Sequence, residues 1–392
     1  MGALSRFLFV VPPLAGHTLP TVAVARELTG RGHQVAWCGP AAAVAPLLPA
    51  GARLIDSGGA EAAAAARARS DGLRGAAAFR FLWEDFLIPL ATAMVPGVEA
   101  AVGEFAPDVA VVDQQALAGA LVARQHGLRW ATSATTSAEL TDPFALMPKL
   151  GDWARGCLVE LQRRFGVPED EAHRGDLRFS EHLVIAFTTA ALVGPDAAIG
   201  DRYALVGPSI GTRAASPQFP WGWIDPARRL VLVSLGTVNR DAGDRFFRTV
   251  IEALEPLSGE LQAVLVAPPE KFPAPPEHVL VRELVPQLDL LAHVAAVVSH
   301  AGHNTVCEAF AHGVPLVVAP IRDDQPIIAQ QVVDAGAGLR VRYGRVGPDE
   351  LRRALTAVLD DRAFRAAARR VGASFDAAGG AAAAADRLEK LT

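Results

Sequence analysis

Short unbroken apolar runs alternate along this chain with longer stretches whose apolar positions recur every three or four residues. Phe7-Leu8-Phe9-Val10-Val11 shows no polar alternation, the pattern of a strand buried on both faces. Pro12-Pro13-Leu14-Ala15-Gly16-His17-Thr18-Leu19-Pro20 reads as a loop, with Pro20 in the first turn of a helix that runs to about Arg31 and stops at Gly32. Residues 34–39 form the next strand, so the chain opens with a β-α-β unit. The loop after a parallel strand lies at the carboxyl edge of its sheet, where such folds bind ligands, and His17 falls in it. Residues 60–69 are Ala-rich and low in complexity, a helix edge or mobile loop. Phe79, Leu82, Trp83, Phe86, Leu87, Leu90 and Met94 follow at helical spacing, a stripe that packs into a core. Asp108 enters the next apolar run and Asp113 ends it, before a helix over 115–126 and a strand over 130–136.

A strand at 183–188 and an exit segment at 203–208 close this first series. Prolines and glycines then gather around Trp221 and Trp223 without periodicity, which marks a linker. A second series starts at 229–237, with strands at 261–267, 279–283, 295–299 and 315–319 between helical segments. Helices at 348–359, 361–371 and 381–391 end the chain. A length of 392 residues favours two domains over one. The expected division is residues 1–208, a linker at 209–228, a second domain at 229–375 and a final helical segment at 376–392. The net charge of −5, with no long basic run, argues against a nucleic-acid surface. Pro12-Pro13 stops the first apolar run too early for a signal sequence or a membrane span. Three isolated cysteines, Cys38, Cys157 and Cys307, point away from a disulfide framework and toward a reducing cytoplasm.

The densest chemistry lies in Ser299-His300-Ala301-Gly302-His303-Asn304-Thr305-Val306-Cys307-Glu308. An apolar run leads into it and an apolar pattern leaves it, so it reads as a strand, a turn at Gly302 and the first turns of a helix. A helix start offers free backbone N–H groups and a positive dipole end, which suit a phosphate. Asn304 and Thr305 can add donors to the same anion, and Glu308 lies one turn further on, within reach of a ribose. His300, His303 and Cys307 could instead ligate a metal, but no further Cys or carboxylate stands nearby at ligand spacing.

With its surroundings, this stretch resembles the donor-binding signature of nucleotide-sugar glycosyltransferases of the GT-B fold, in the family that glycosylates small lipophilic acceptors. His300, Gly302, Asn304, Thr305 and Glu308 fit the pattern H-x-G-x-N/G-[ST]-x-x-E, and Asp324-Gln325 follows as its D-Q pair. Ser234-Leu235-Gly236-Thr237 and Val285-Pro286-Gln287 match two further donor elements in order. The resemblance spans nearly the whole chain and is strongest over 230–338. It implies an α/β protein of two doubly wound Rossmann-like domains facing across a cleft, with the last helix crossing back to the first domain. Donor binding is thereby assigned to Ser234, Gly236, Thr237, Val285, Gln287, His300, Gly302, Asn304, Thr305, Glu308, Asp324 and Gln325.

Gly16-His17-Thr18-Leu19-Pro20 is similar to the family's G-H-x-x-P, which makes His17 the catalytic base and Asp113 the residue that orients it. A helix cap is a second role that suits Asp113. The acceptor pocket of the family falls in the first half, which suggests Trp83, Phe86, Phe144 and Met147 as lining residues, near Trp153. Leu284 stands where many relatives stack an aromatic on the nucleobase, so UDP- and dTDP-linked donors both stay open, the dTDP-deoxysugars of bacterial relatives being favoured. No D-x-D pair occurs, and the expectation is a metal-independent inverting transfer with no cofactor. The partners are then a nucleotide sugar and a small natural-product aglycone, with no nucleic acid, no integral membrane association, and room for a homodimer. A nucleotide-sugar 2-epimerase on the same fold is one alternative, and a non-catalytic nucleotide-sugar-binding partner of another transferase is the other. Gly16-His17 speaks against the epimerase, which needs no acceptor-activating histidine.

Overall fold

The computed structural model describes residues 4–69, 72–73, 75–141, 147–194, 200–211, 217–236 and 243–392. The chain forms two compact units, one of Met1–Thr189, Ala197–Ala214 and Ala378–Thr392, the other of Ala190–Asp196 and Ala215–Ala377.

The first unit is built on seven strands: β1 (Arg6–Val10), β2 (Gln34–Gly39), β3 (Leu54–Asp56), β4 (Val109–Asp113), β5 (Trp130–Ala134), β6 (Leu183–Ala186) and β7 (Tyr203–Leu205). They pair in parallel in the order β3-β2-β1-β4-β5-β6-β7. Both faces are covered, which is why the strands read as apolar without alternation. Phe7, Phe9 and Val11 join Val24, Leu28 and Leu388 in one core layer. Leu8 and Val10 join Leu90, Met94, Leu117 and Leu121 in the other. The helix Gly75–Phe105 contains an 18-residue stretch with a mean hydropathy of 1.6 and is long and apolar enough to cross a membrane. Its Leu87, Leu90, Met94 and Val98 pack in that second layer.

The second unit repeats the plan with β8 (Arg229–Ser234), β9 (Leu261–Val266), β10 (Val279–Arg282), β11 (Val294–Ser299), β12 (Leu316–Val318) and β13 (Gly338–Arg340). Their order is β10-β9-β8-β11-β12-β13, again all parallel. In each sheet the strand order reverses once, between β1 and β4 and between β8 and β11. A crevice opens at such a reversal beyond the carboxyl ends of the strands.

Two expectations change. The first helix is Ala15–Gly30, so Pro20 lies inside it and His17 sits in its first turn rather than in a loop. The start is set by Leu14, whose extended backbone lets its carbonyl accept the N–H groups of His17 and Thr18 at 3.1 and 3.0 Å. Pro20 then costs the helix one internal bond without ending it. Residues 60–69 form a regular helix, Ala60–Arg69, as their alanine content favours.

Candidate active site

In the first unit the reversal point brings together the end of β4 and the helix after β1. His17 Nδ1 lies 2.9 and 3.0 Å from the two carboxylate oxygens of Asp113. Asp113 is 1% exposed, and its Oδ1 also accepts the Gln115 N–H at 2.8 Å. The carboxylate therefore closes the turn before the helix Leu117–Gln125 while it faces the imidazole. Thr135, just beyond β5, reaches both groups: its Oγ1 is 2.8 Å from His17 Nδ1 and 2.9 Å from Asp113 Oδ2. No sequence motif singles it out. Asp108 serves the strand entry, its Oδ2 accepting the Arg6 N–H at 2.7 Å.

The expected acceptor residues separate. Trp83 is 2% exposed and lies in the core against Phe79, Trp153 and the Arg178 guanidinium. Its helical spacing already put it on the buried face. Phe86 is half-buried against the same core, and Met147 is exposed. Phe144 lies outside the described residues.

In the second unit Ser234 ends β8, Ser299 ends β11, and the two are register partners. His300 follows at once, and its ring fills a slot between two glycines. A Cβ on Gly236 would stand 2.7 Å from the ring, and one on Gly302 2.6 Å. Gly236 also has φ +73°, a conformation natural only to glycine. Between them Ala301 takes φ 68°, a strained value for a residue with a Cβ, and its N–H bonds to Ser299 Oγ at 3.2 Å. Burial pushes the His300 imidazole down to about 4, against the opposing pull of Asp324 and of the Ser234 backbone. The ring is thus a neutral N–H donor at neutral pH.

Gly302 caps the helix His303–Ala311 without a side-chain bond, and Asn304 and Thr305 occupy its first turn. Glu308, on the same helix and buried, receives the Gln287 amide at 2.6 Å, which joins two of the sequence motifs across 21 residues. Val285 is buried beside Leu284, which is 54% exposed. Asp324 caps the helix Gln325–Asp334, and Gln325 Oε1 accepts the N–H groups of Ile321 and Arg322 at 2.9 and 3.1 Å. That leaves the amide N–H groups of Gln325 to donate. Thr237 lies outside the described residues. Cys307 packs at 3.5 Å from His303, and burial raises its thiol well above the usual range. Among the described residues no three His, Cys, Asp or Glu side chains gather as a metal set.

Residues 251–391 match the family described as erythromycin biosynthesis protein CIII-like, C-terminal domain. The chain is 31% identical to the 4'-demethylrebeccamycin synthase of Lentzea aerocolonigenes, with 100% of both chains covered. It is 29% identical to the demethyllactenocin mycarosyltransferase of Streptomyces fradiae, over 99% of this chain and 87% of that one. The crystal structure of the glycotransferase of kitacinnamycin superposes with a TM-score of 0.77 at 27% identity, each chain covered at 100%.

Proposed function

The chain belongs to the GT-B glycosyltransferases of natural-product biosynthesis, which use nucleotide sugars, and we propose that it inverts the anomeric centre as it glycosylates a hydroxyl of a small lipophilic aglycone. The donor is dTDP- or UDP-linked, and no metal ion takes part. The contact between His17 and Asp113 carries this reading. A hydroxyl is a poor nucleophile until its proton leaves, and a neutral imidazole can take that proton. With Nδ1–H bonded to Asp113, the lone pair of Nε2 is the base. The acceptor oxygen forms its bond to the anomeric carbon as the bond to the diphosphate breaks on the opposite face, and His17 keeps the proton. Asp113 stabilises the resulting imidazolium.

Negative charge grows on the departing diphosphate. His300, the first-turn N–H groups after Gly302, and the Asn304 and Thr305 side chains meet it. Glu308, held by Gln287, accepts from the ribose hydroxyls, the nucleobase rests by Val285 and Leu284, and Asp324 and Gln325 hold the sugar. Ser234 and Gly236 shape the slot of His300. The unpaired Cys38, Cys157 and Cys307 suit a reducing compartment, the cytoplasm.

The two histidines separate in one experiment. His17→Ala should keep nucleoside diphosphate affinity and lose about 10²–10⁴-fold in turnover, the usual worth of general-base catalysis. His300→Ala should weaken nucleoside diphosphate binding itself. Calorimetry run beside turnover checks the split, and full turnover in His17→Ala on a hydroxyl acceptor refutes the assignment. EDTA should leave transfer unchanged; loss restored by magnesium or manganese would contradict the metal-free route.

A further inference from the structure

The third group at the first-unit site has a proton of its own to place. Thr135 is 4% exposed, and its hydroxyl lies within hydrogen-bond distance of both His17 Nδ1 and Asp113 Oδ2. The sheet puts it there: β5 runs parallel to β4 with Ser133 opposite Asp113, and Thr135 continues past the end of β4.

Counting protons leaves one consistent arrangement. The Asp113 carboxylate only accepts, and the Gln115 N–H already donates to Oδ1. If the Thr135 O–H pointed at Nδ1, that nitrogen would be bare and would face both carboxylate oxygens at 2.9 and 3.0 Å with no proton between them. With the O–H on Asp113 Oδ2, oxygen lone pairs of both Thr135 and Asp113 face Nδ1. In the neutral ring the imidazole proton then sits on Nδ1, and Nε2 carries the lone pair. We propose that Thr135 is a positioning residue which, together with Asp113, holds His17 in the Nδ1–H tautomer and fixes the plane of its ring. The inference rests on the reading of His17 as the base. When His17 gains the acceptor proton, Nδ1–H keeps two oxygen partners, and Asp113 keeps its Thr135 donor. The β-branched side chain restricts its own rotation, so the hydroxyl is held for this geometry before substrate arrives.

Thr135→Val keeps the shape and removes the hydroxyl, and Thr135→Ser keeps the hydroxyl. Nitrogen-15 histidine spectra of the full chain report the His17 tautomer without substrate. Wild type and Thr135→Ser should show the proton on Nδ1; Thr135→Val, where Asp113 still faces Nδ1, should keep that tautomer as the major form and gain a minor Nε2–H form as the ring loses its second fixed partner. In Thr135→Val kcat should fall about 10- to 100-fold, the worth of a hydrogen bond to a charged group, with KM for both substrates unchanged. Thr135→Ser should restore kcat to within a few-fold of wild type. Thr135→Ala gives the same readouts if the valine variant does not fold. A wild-type tautomer with wild-type kcat in the hydroxyl-free variants overturns the proposal. So does a raised KM with unchanged kcat, which would put the hydroxyl on substrate. Full turnover in His17→Ala sinks the base assignment itself, whereas its loss beside a wild-type Thr135→Val sinks only the role of Thr135.

Discussion

The neutrality of His300 has consequences for both stability and binding. Its proton affinity is about 4 in the folded chain, where burial opposes the cation, against an ordinary 6.5. The unfolded chain therefore binds a proton that the folded chain refuses between those values. The contribution of the neutral ring is complete above pH 6.5 and is lost as pH falls toward 4. At pH 5 the loss amounts to about 2 kcal/mol. His300→Gln should accordingly flatten the fall in melting temperature between pH 7 and pH 5; an unchanged slope would contradict the linkage. The glycines on either side of the ring make a second test. In Gly302→Ala the new Cβ would stand 2.6 Å from the imidazole, closer than real contacts come, so the ring must move. Nucleoside diphosphate affinity, measured by calorimetry, should fall toward that of His300→Ala. Sequence alone presents these glycines as motif letters. Their role as the two walls of one slot appears only when β8 and β11 lie side by side.

At the scale of elements, unbroken apolar runs gave β1, β2, β8 and β11 closely, because a strand covered on both faces leaves no polar position to blur its limits. β3 and β13 are three residues each and partly exposed, so neither makes the fully apolar run that betrays the equally short β12, and they pass unnoticed in the sequence. Pro20 misplaced the first helix, since a proline six residues in looks like a start when the true one, at Leu14, has no capping side chain. The motifs assigned to the donor stand out in the sequence because their residues lie close along the chain. Thr135 does not, because its partners stand 118 and 22 residues away and only sheet order joins them. The bond between Gln287 and Glu308 is another product of topology, and it makes a prediction between elements. Gln287→Ala removes a donor from a buried carboxylate, the one proposed above to accept from the ribose. Affinity for a nucleoside diphosphate should drop, while affinity for inorganic pyrophosphate should not. An equal loss for both ligands would place Gln287 on the phosphate side.

At the scale of the whole molecule, the chain builds its first unit, then the second, and completes the first with its last helix. Gly380–Glu389 buries Ala384, Ala385 and Leu388 in the layer that holds Phe7, Phe9 and Leu28. Its polar edge meets the first helix: Arg31 pairs with Asp386 and Glu389 at 2.6 and 2.8 Å, and His33 with Glu389 at 2.9 Å. Magnitudes decide which contact matters. Such half-exposed ion pairs are worth about 0–1 kcal/mol, whereas a leucine cut to alanine in a core costs about 2–5 kcal/mol. Leu388→Ala should therefore destabilise the protein strongly and Arg31→Ala only slightly. The damage should also be confined, because the second unit has a separate core around Val231, Val298 and Val317. Scanning calorimetry should show two transitions, with a saturating nucleoside diphosphate raising only the one that belongs to the second unit. Leu388→Ala should lower the other. Between the two midpoints the variant should still bind nucleoside diphosphate but transfer no sugar, because the His17–Asp113 pair has lost its sheet. A single transition lowered as a whole by Leu388→Ala would show instead that the two cores melt as one.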